Sequence, residues 1–117
     1  MSLEHLLPGR PQPLMPEGSL PSEFESRALF KGQDLEVIQL LMPEGRRMLD
    51  HRVDGEITLQ CVKGCIDVIS HPAGSPDPRP TARLVDGDLL YLKRGELHQL
   101  LAVVSSVVLL TIALRGH

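Results

Sequence analysis

Apolar and polar residues alternate in short runs from residue 25 almost to the end of the chain. Ile57, Leu59 and Cys61, for example, are separated by Thr58 and Gln60, and this period of two indicates a half-buried β-strand. No apolar pattern with a helical period continues for ten residues. We therefore predict nine short strands, at residues 26–30, 35–42, 46–51, 57–62, 65–70, 82–85, 89–92, 99–103 and 107–114.

Glycine-containing pairs separate many of these runs and indicate turns, among them Lys31-Gly32, Asp54-Gly55 and Asp86-Gly87. Many short strands at this spacing predict an all-β sandwich or barrel. Lys63-Gly64 has the composition of a tight hairpin turn. It would place Cys61 and Cys65 on either side of the hairpin tip, with Cys61 buried.

Two segments differ from this strand pattern. Residues 1–24 contain five of the ten prolines and predict an extended arm, which is either mobile or laid across the barrel or a neighbouring subunit. Residues 25–117 would form the barrel domain. Residues 71–80 are a proline-rich loop, and His71 at its edge is expected to be solvated.

The last predicted strand is apolar on both faces, so a second layer should cover its outer side. The arm could supply this cover, but a homodimer is the simpler explanation for so short a chain.

The composition narrows the class of protein. A chain of 117 residues with 42% hydrophobic residues forms one domain with a modest core. The net charge of −3 gives no reason to expect nucleic-acid binding. Two cysteines are too few for a disulfide framework. The first residues do not resemble a signal peptide, and the longest apolar run is too short to span a membrane. We therefore expect a cytoplasmic protein with no membrane partner.

Glycine and histidine recur at fixed offsets in two segments. In the first, Gly45 is followed after five residues by His51, and Gly64 stands thirteen residues beyond. In the second, Gly87, Gly95 and His98 occur in the stretch GDLLYLKRGELH. These offsets resemble the two sequence motifs of the cupin superfamily, G-x5-H-x-H-x3-E-x6-G and G-x5-P-x-G-x2-H-x3-N. The resemblance implies a small jelly-roll β-barrel, in agreement with the predicted strands.

The same resemblance implies where a metal would be bound. Metal-binding cupins surround one divalent ion with two histidines and a glutamate from the first motif and a histidine from the second. Here His51 and His98 occupy the first and last of these positions. Val53 stands at the second histidine position and Ile57 at the glutamate position, and neither side chain can bind a metal. The second motif also departs from the family at Lys93, where proline is usual, and at Ala102, where asparagine is usual.

Other side chains could complete the site only under particular conditions. Glu56 neighbours Ile57, but its side chain should point to the opposite face of a regular strand unless a bulge at Asp54-Gly55 shifts the register. The orientation of Tyr91 is not fixed by the pattern, and Asp88 is expected to cap a turn. No convincing acid–base set follows from these residues.

Three functions remain compatible with the sequence. The first is a pocket lined by His51, Val53, Ile57 and His98 that binds a small polar or anionic molecule, with an incomplete metal site and no expected cofactor. The second is a metal-dependent cupin enzyme of the dioxygenase or isomerase type, with His51 and His98 binding Zn, Fe, Ni or Mn. The third is a structural dimer whose two histidines are bonded to each other or to water. We favour the first.

Overall fold

Nine β-strands form in the computed structural model, which describes residues 6–16, 18, 20 and 22–114. They are β1 (Glu25–Lys31), β2 (Leu35–Met42), β3 (Arg47–His51), β4 (Ile57–Lys63), β5 (Cys65–His71), β6 (Ala82–Val85), β7 (Leu89–Leu92), β8 (Leu97–Ala102) and β9 (Ser106–Ala113). All nine correspond to predicted strands. The largest shift is at β8, which begins two residues early because Leu97 and His98 pair with β5.

The strands form two antiparallel sheets. Sheet A has the order β1-β2-β9-β4-β7, and sheet B has the order β3-β8-β5-β6. The inward faces of both sheets enclose one aliphatic core, to which every strand from β2 to β9 contributes buried side chains except β3, whose half-buried Met48 packs against it. Its buried members are Leu40, Met42, Ile57, Leu59, Cys61, Ile66, Val68, Leu84, Leu92, Leu100, Ala102, Val108, Leu110 and Ile112. The predicted all-β jelly-roll barrel is therefore confirmed.

The predicted hairpin at Lys63-Gly64 is wrong. β4 belongs to sheet A and β5 to sheet B, so this turn is a corner at which the chain passes between sheets. Gly64 has a φ of +112°, which L side chains rarely adopt, and a Cβ there would overlap the hydroxyl of the fully buried Ser106. Cys61 is buried as predicted, whereas Cys65 is half-buried.

The outer face of sheet A is partly covered, as the apolar last strand predicted. Leu41 and Val107 are in register, lie outside the core cluster, and are nevertheless fully buried. The described part of the predicted arm supplies some of the cover. The Gln39 side chain donates a hydrogen bond to the Leu14 carbonyl, and the Leu6 amide donates one to the Leu29 carbonyl over 2.7 Å. Positions 1–5, 17, 19 and 21 of the arm lie outside the described residues. No helix in the described ranges is long and apolar enough to cross a membrane.

Candidate functional site

His51 and His98 lie in register on the neighbouring strands β3 and β8, at one end of the barrel. The register shifts between Met48 and His51, so that Met48 pairs with Leu100 and His51 with His98. This bulge brings Met48 and His51, three residues apart, to the inner face of sheet B. His51 and Val53 share the odd-numbered parity of Ile57, so simple alternation along the sequence also predicts that His51 faces inward. The bulge is the actual cause, and it leaves His51 exposed at the barrel mouth.

The two imidazole rings are close and differ in environment. Their centroids are 5.6 Å apart and their planes meet at 82°, an edge-to-face arrangement. His98 is only 2% exposed to solvent, whereas His51 is exposed. The pair therefore joins a buried ring to one that solvent or a ligand can reach.

The hydrogen bond of His98 fixes which ring nitrogen carries the proton. Its Nδ1 lies 3.2 Å from the Glu96 carbonyl oxygen, which can only accept a hydrogen bond. Nδ1 is thus the protonated nitrogen, and Nε2 keeps its lone pair. Burial, and to a lesser degree the neighbouring His51, lower the pKa of His98 below its usual value of 6.5. At neutral pH His98 is therefore an uncharged acceptor at Nε2.

Ser70 is a third member of this row that the sequence did not single out. It pairs with His98 from the other side, on β5, and is also buried. Its Oγ accepts a 3.0 Å hydrogen bond from Arg79 Nη1, which leaves the Ser70 proton available for donation. His51, His98 and Ser70 thus form a polar row across three adjacent strands, all on the inner face.

A buried carboxylate anchors the segment behind this row. The Glu96 side chain is 3% exposed and accepts hydrogen bonds from Arg79 Nη2 at 2.6 Å and from the Lys93 amide at 2.8 Å. Burial would raise the pKa of Glu96, but these donors outweigh it and hold the pKa below its usual value. Arg79 lies in the proline-rich loop, so this ion pair fastens the loop beside the histidine row.

Val53 and Ile57, which stand where the resemblance implies two metal ligands, present hydrocarbon to the barrel. Ile57 is 2% exposed and pairs with Leu92 and Ile112. Val53 is half-buried and packs against the core. These aliphatic side chains make the adjoining part of the barrel apolar.

The other polar side chains considered for the site do not join the histidine row. Glu56 is exposed and accepts a hydrogen bond from the Tyr91 hydroxyl, so it points away from the face that Ile57 occupies. Tyr91 is exposed as well. Asp88 caps its turn as predicted, accepting a 2.9 Å hydrogen bond from the Val85 amide.

This donor set does not fit the metal that the resemblance implies. A catalytic zinc takes three protein ligands, and non-haem iron takes two histidines and a carboxylate. Two imidazoles occur here, and the described residues contain no group of three histidine, cysteine or acidic side chains that could hold an ion.

Comparison with known proteins supports the fold. No protein-family model matches the sequence, and no curated protein matches it. A conserved protein of unknown function from Streptococcus pyogenes is similar, with a TM-score of 0.75, 20% identity and coverage of 100% of this chain and 98% of the other. A cupin superfamily protein from Desulfitobacterium hafniense also has a TM-score of 0.75, with 17% identity and coverage of 98% and 100%.

One enzyme shares part of the same architecture. A mutant of salicylate 1,2-dioxygenase from Pseudoaminobacter salicylatoxidans matches with a TM-score of 0.58 and 16% identity. The match covers 68% of this chain and 21% of that one. At these identities the likeness extends to the fold and not to the chemistry.

Proposed function

We propose that this chain, which has the cupin fold, binds a small molecule at the mouth of its barrel through His51 and His98. Val53 and Ile57 would form the apolar wall of the pocket. The observation that carries the proposal is the edge-to-face pair itself, in which the buried His98, held through Nδ1 by the Glu96 carbonyl, lies against an exposed second imidazole. A few convergent polar groups against aliphatic walls are the usual composition of a small-molecule site.

The polar groups favour a ligand with a hydroxyl or N–H group. His98 Nε2 can only accept a hydrogen bond in the tautomer described above, and among the described side chains none donates to it. Ser70 offers a proton on the same face, and His51 can donate or accept. A molecule that both donates and accepts, such as a polyol, a hydroxy acid or a primary amide, would satisfy all three groups.

A ligand screen tests this function. Untagged protein, dialysed against a chelator, is screened by thermal shift with a panel of sugars, hydroxy acids and primary amides, and hits are measured by calorimetry. His51→Ala should weaken binding about tenfold, the effect of losing one hydrogen bond of about 1.4 kcal/mol. Leu49→Ala is the matched control, because Leu49 lies on the same strand and is 73% exposed. Equal affinities in both variants would refute a role for His51.

A metal-dependent enzyme of the dioxygenase or isomerase type is the second candidate, favoured only by the in-register pair of imidazoles. Metal analysis by mass spectrometry, before and after chelator treatment, separates the two functions. Stoichiometric Zn, Fe, Ni or Mn that His51→Ala abolishes would replace the first proposal by the second. Metal-free protein that still binds a ligand supports the first.

A homodimer and a cytoplasmic location stay predictions. Light scattering coupled to size-exclusion chromatography would test the first, and fractionation of the source cells the second.

A further inference from the structure

A cleft with a volume of about 430 Å³ lies outside the barrel, against sheet B. It is lined by residues 72–76 of the proline-rich loop and by Arg52, His71, Gly95 and Leu97. His71 and Leu97 are in register, one position away from the Ser70–His98 pair. Because successive strand residues point to opposite faces, the cleft opens on the outer side of the sheet and is distinct from the histidine row.

The loop wall of this cleft is held in place. The Arg79 amide donates a 2.8 Å hydrogen bond to the Ser70 carbonyl, and the Ser75 amide donates one of 3.0 Å to the Pro72 carbonyl. The Arg79 guanidinium also pairs with the buried Glu96. Prolines at four positions between 72 and 80 further restrict the backbone. A ligand would therefore meet a preformed wall and lose little affinity to loop ordering.

Arg52 brings to the cleft a positive charge that pairs with no other residue in the described part of the chain. It is exposed, and it makes no hydrogen bond or ion pair with any other described residue. The nearby arginines differ, since Arg79 holds Glu96 and Arg94 holds Asp54. The buried carboxylate beside the loop is thus already neutralised, and no described residue occupies the Arg52 guanidinium, which can bind an anion.

We propose that this cleft binds the oxyanion group of a small organic acid or phosphate compound, with Arg52 as the charged contact. A guanidinium presents two parallel donors that match a carboxylate or a phosphate. The half-buried imidazole of His71 adds a donor, and Leu97 with the loop prolines contacts the apolar part of the ligand. The volume lies within the range of small-molecule sites. This site is independent of the function proposed for His51 and His98.

Nuclear magnetic resonance titration of the full chain tests the proposal. ¹⁵N-labelled protein is titrated with inorganic phosphate and, separately, with sodium benzoate at low salt. We expect saturable shifts of the amides of Arg52, His71 and residues 73–75, and Arg52→Gln should weaken binding at least tenfold. Arg47→Gln is the control, because Arg47 is an exposed arginine at the start of β3, the strand that ends one residue before Arg52. The spectrum of each variant reports whether it remains folded.

Each outcome of the titration either supports or overturns the proposed oxyanion site. Saturation by benzoate, by phosphate or by both supports the site, and the pattern identifies which oxyanion it prefers. Equal weakening by the two arginine substitutions would show a general surface-charge effect and overturn the proposal. Shifts that do not saturate, or that centre on the histidine row, would overturn it as well.

Discussion

Replacing Val53 by histidine should turn the barrel mouth into a zinc site. Val53 stands at the position where the cupin motif has its second histidine, between the exposed His51 and the core. The variant would have three imidazoles, the number of protein ligands that a catalytic zinc usually takes. Because Val53 is only half-buried, the substitution should cost no more than about 1–3 kcal/mol of stability, the range of most single changes.

The stabilisation of the folded Val53→His variant by zinc follows from mass action. Zinc at one hundred times its dissociation constant stabilises the folded state by about 2.7 kcal/mol. For a domain of this size that corresponds to a rise of about 10 °C in Tm. Thermal unfolding of Val53→His with zinc and with a chelator measures the difference, and calorimetry gives the stoichiometry, expected to be one ion per chain.

A matched variant separates this site from adventitious binding. Leu49→His adds an imidazole to β3, the strand that carries His51, at a position 73% exposed, and it should show no comparable rise. If Val53→His is folded but gains no more from zinc than Leu49→His, then positions 51, 53 and 98 do not converge. The interpretation of Val53 as a lost metal ligand would then be refuted.

The carboxylate position cannot be restored as easily. Ile57 is 2% exposed, so Ile57→Glu removes a core side chain, at a cost of about 2–5 kcal/mol, and also buries a charge. This change should unfold much of the metal-free protein. Added to Val53→His, it should fold in zinc and lose its structure in chelator, as judged by circular dichroism.

Three other properties follow from the structure. Glu96→Gln should lower the free energy of unfolding by about 2 kcal/mol at pH 7. Because the folded-state pKa of the Glu96 carboxyl is depressed, the stability of the wild type should fall as the pH drops below about 4.3. Denaturant titrations at several pH values should show a shallower fall in the variant. Gly55→Ala should cost at least 3 kcal/mol of unfolding free energy, because a Cβ there overlaps a backbone carbonyl. Gly74 has open space around it and a positive φ, so Gly74→Ala should cost only about 1 kcal/mol. Equal losses of stability in the two variants would contradict the close contact at Gly55. Burial raises the pKa of the Cys61 thiol to about 11, so a thiol reagent at pH 8 should modify Cys65 in the native protein and reach Cys61 only after unfolding, and simultaneous modification would contradict this.

Most of the strand pattern could be predicted because alternation and glycine turns are local properties. The corner at Gly64 could not, since a hairpin and a passage between sheets use similar turn residues. The difference depends on strands distant in sequence, namely the pairing of β4 with β9 and of β5 with β8.

The candidate site, too, could be predicted only where its features are local in sequence. The offsets of the two motifs placed His51 beside His98 correctly. The bulge that turns His51 inward, by contrast, is determined by how β3 pairs with β8. Ser70 becomes part of the row only through the register of β5. The Arg79–Glu96 pair depends on the path of the proline-rich loop, and no spacing in a single sequence connects these two positions.

β9, the last of the nine described strands, lies in the middle of sheet A, between β2 and β4. During synthesis, β2 and β4 therefore leave the ribosome long before the strand that joins them. Until β9 emerges, each has an unpaired edge that can pair with another nascent chain. The barrel can close only after β9 has emerged, so a truncation before residue 106 should leave a chain that aggregates or requires a chaperone.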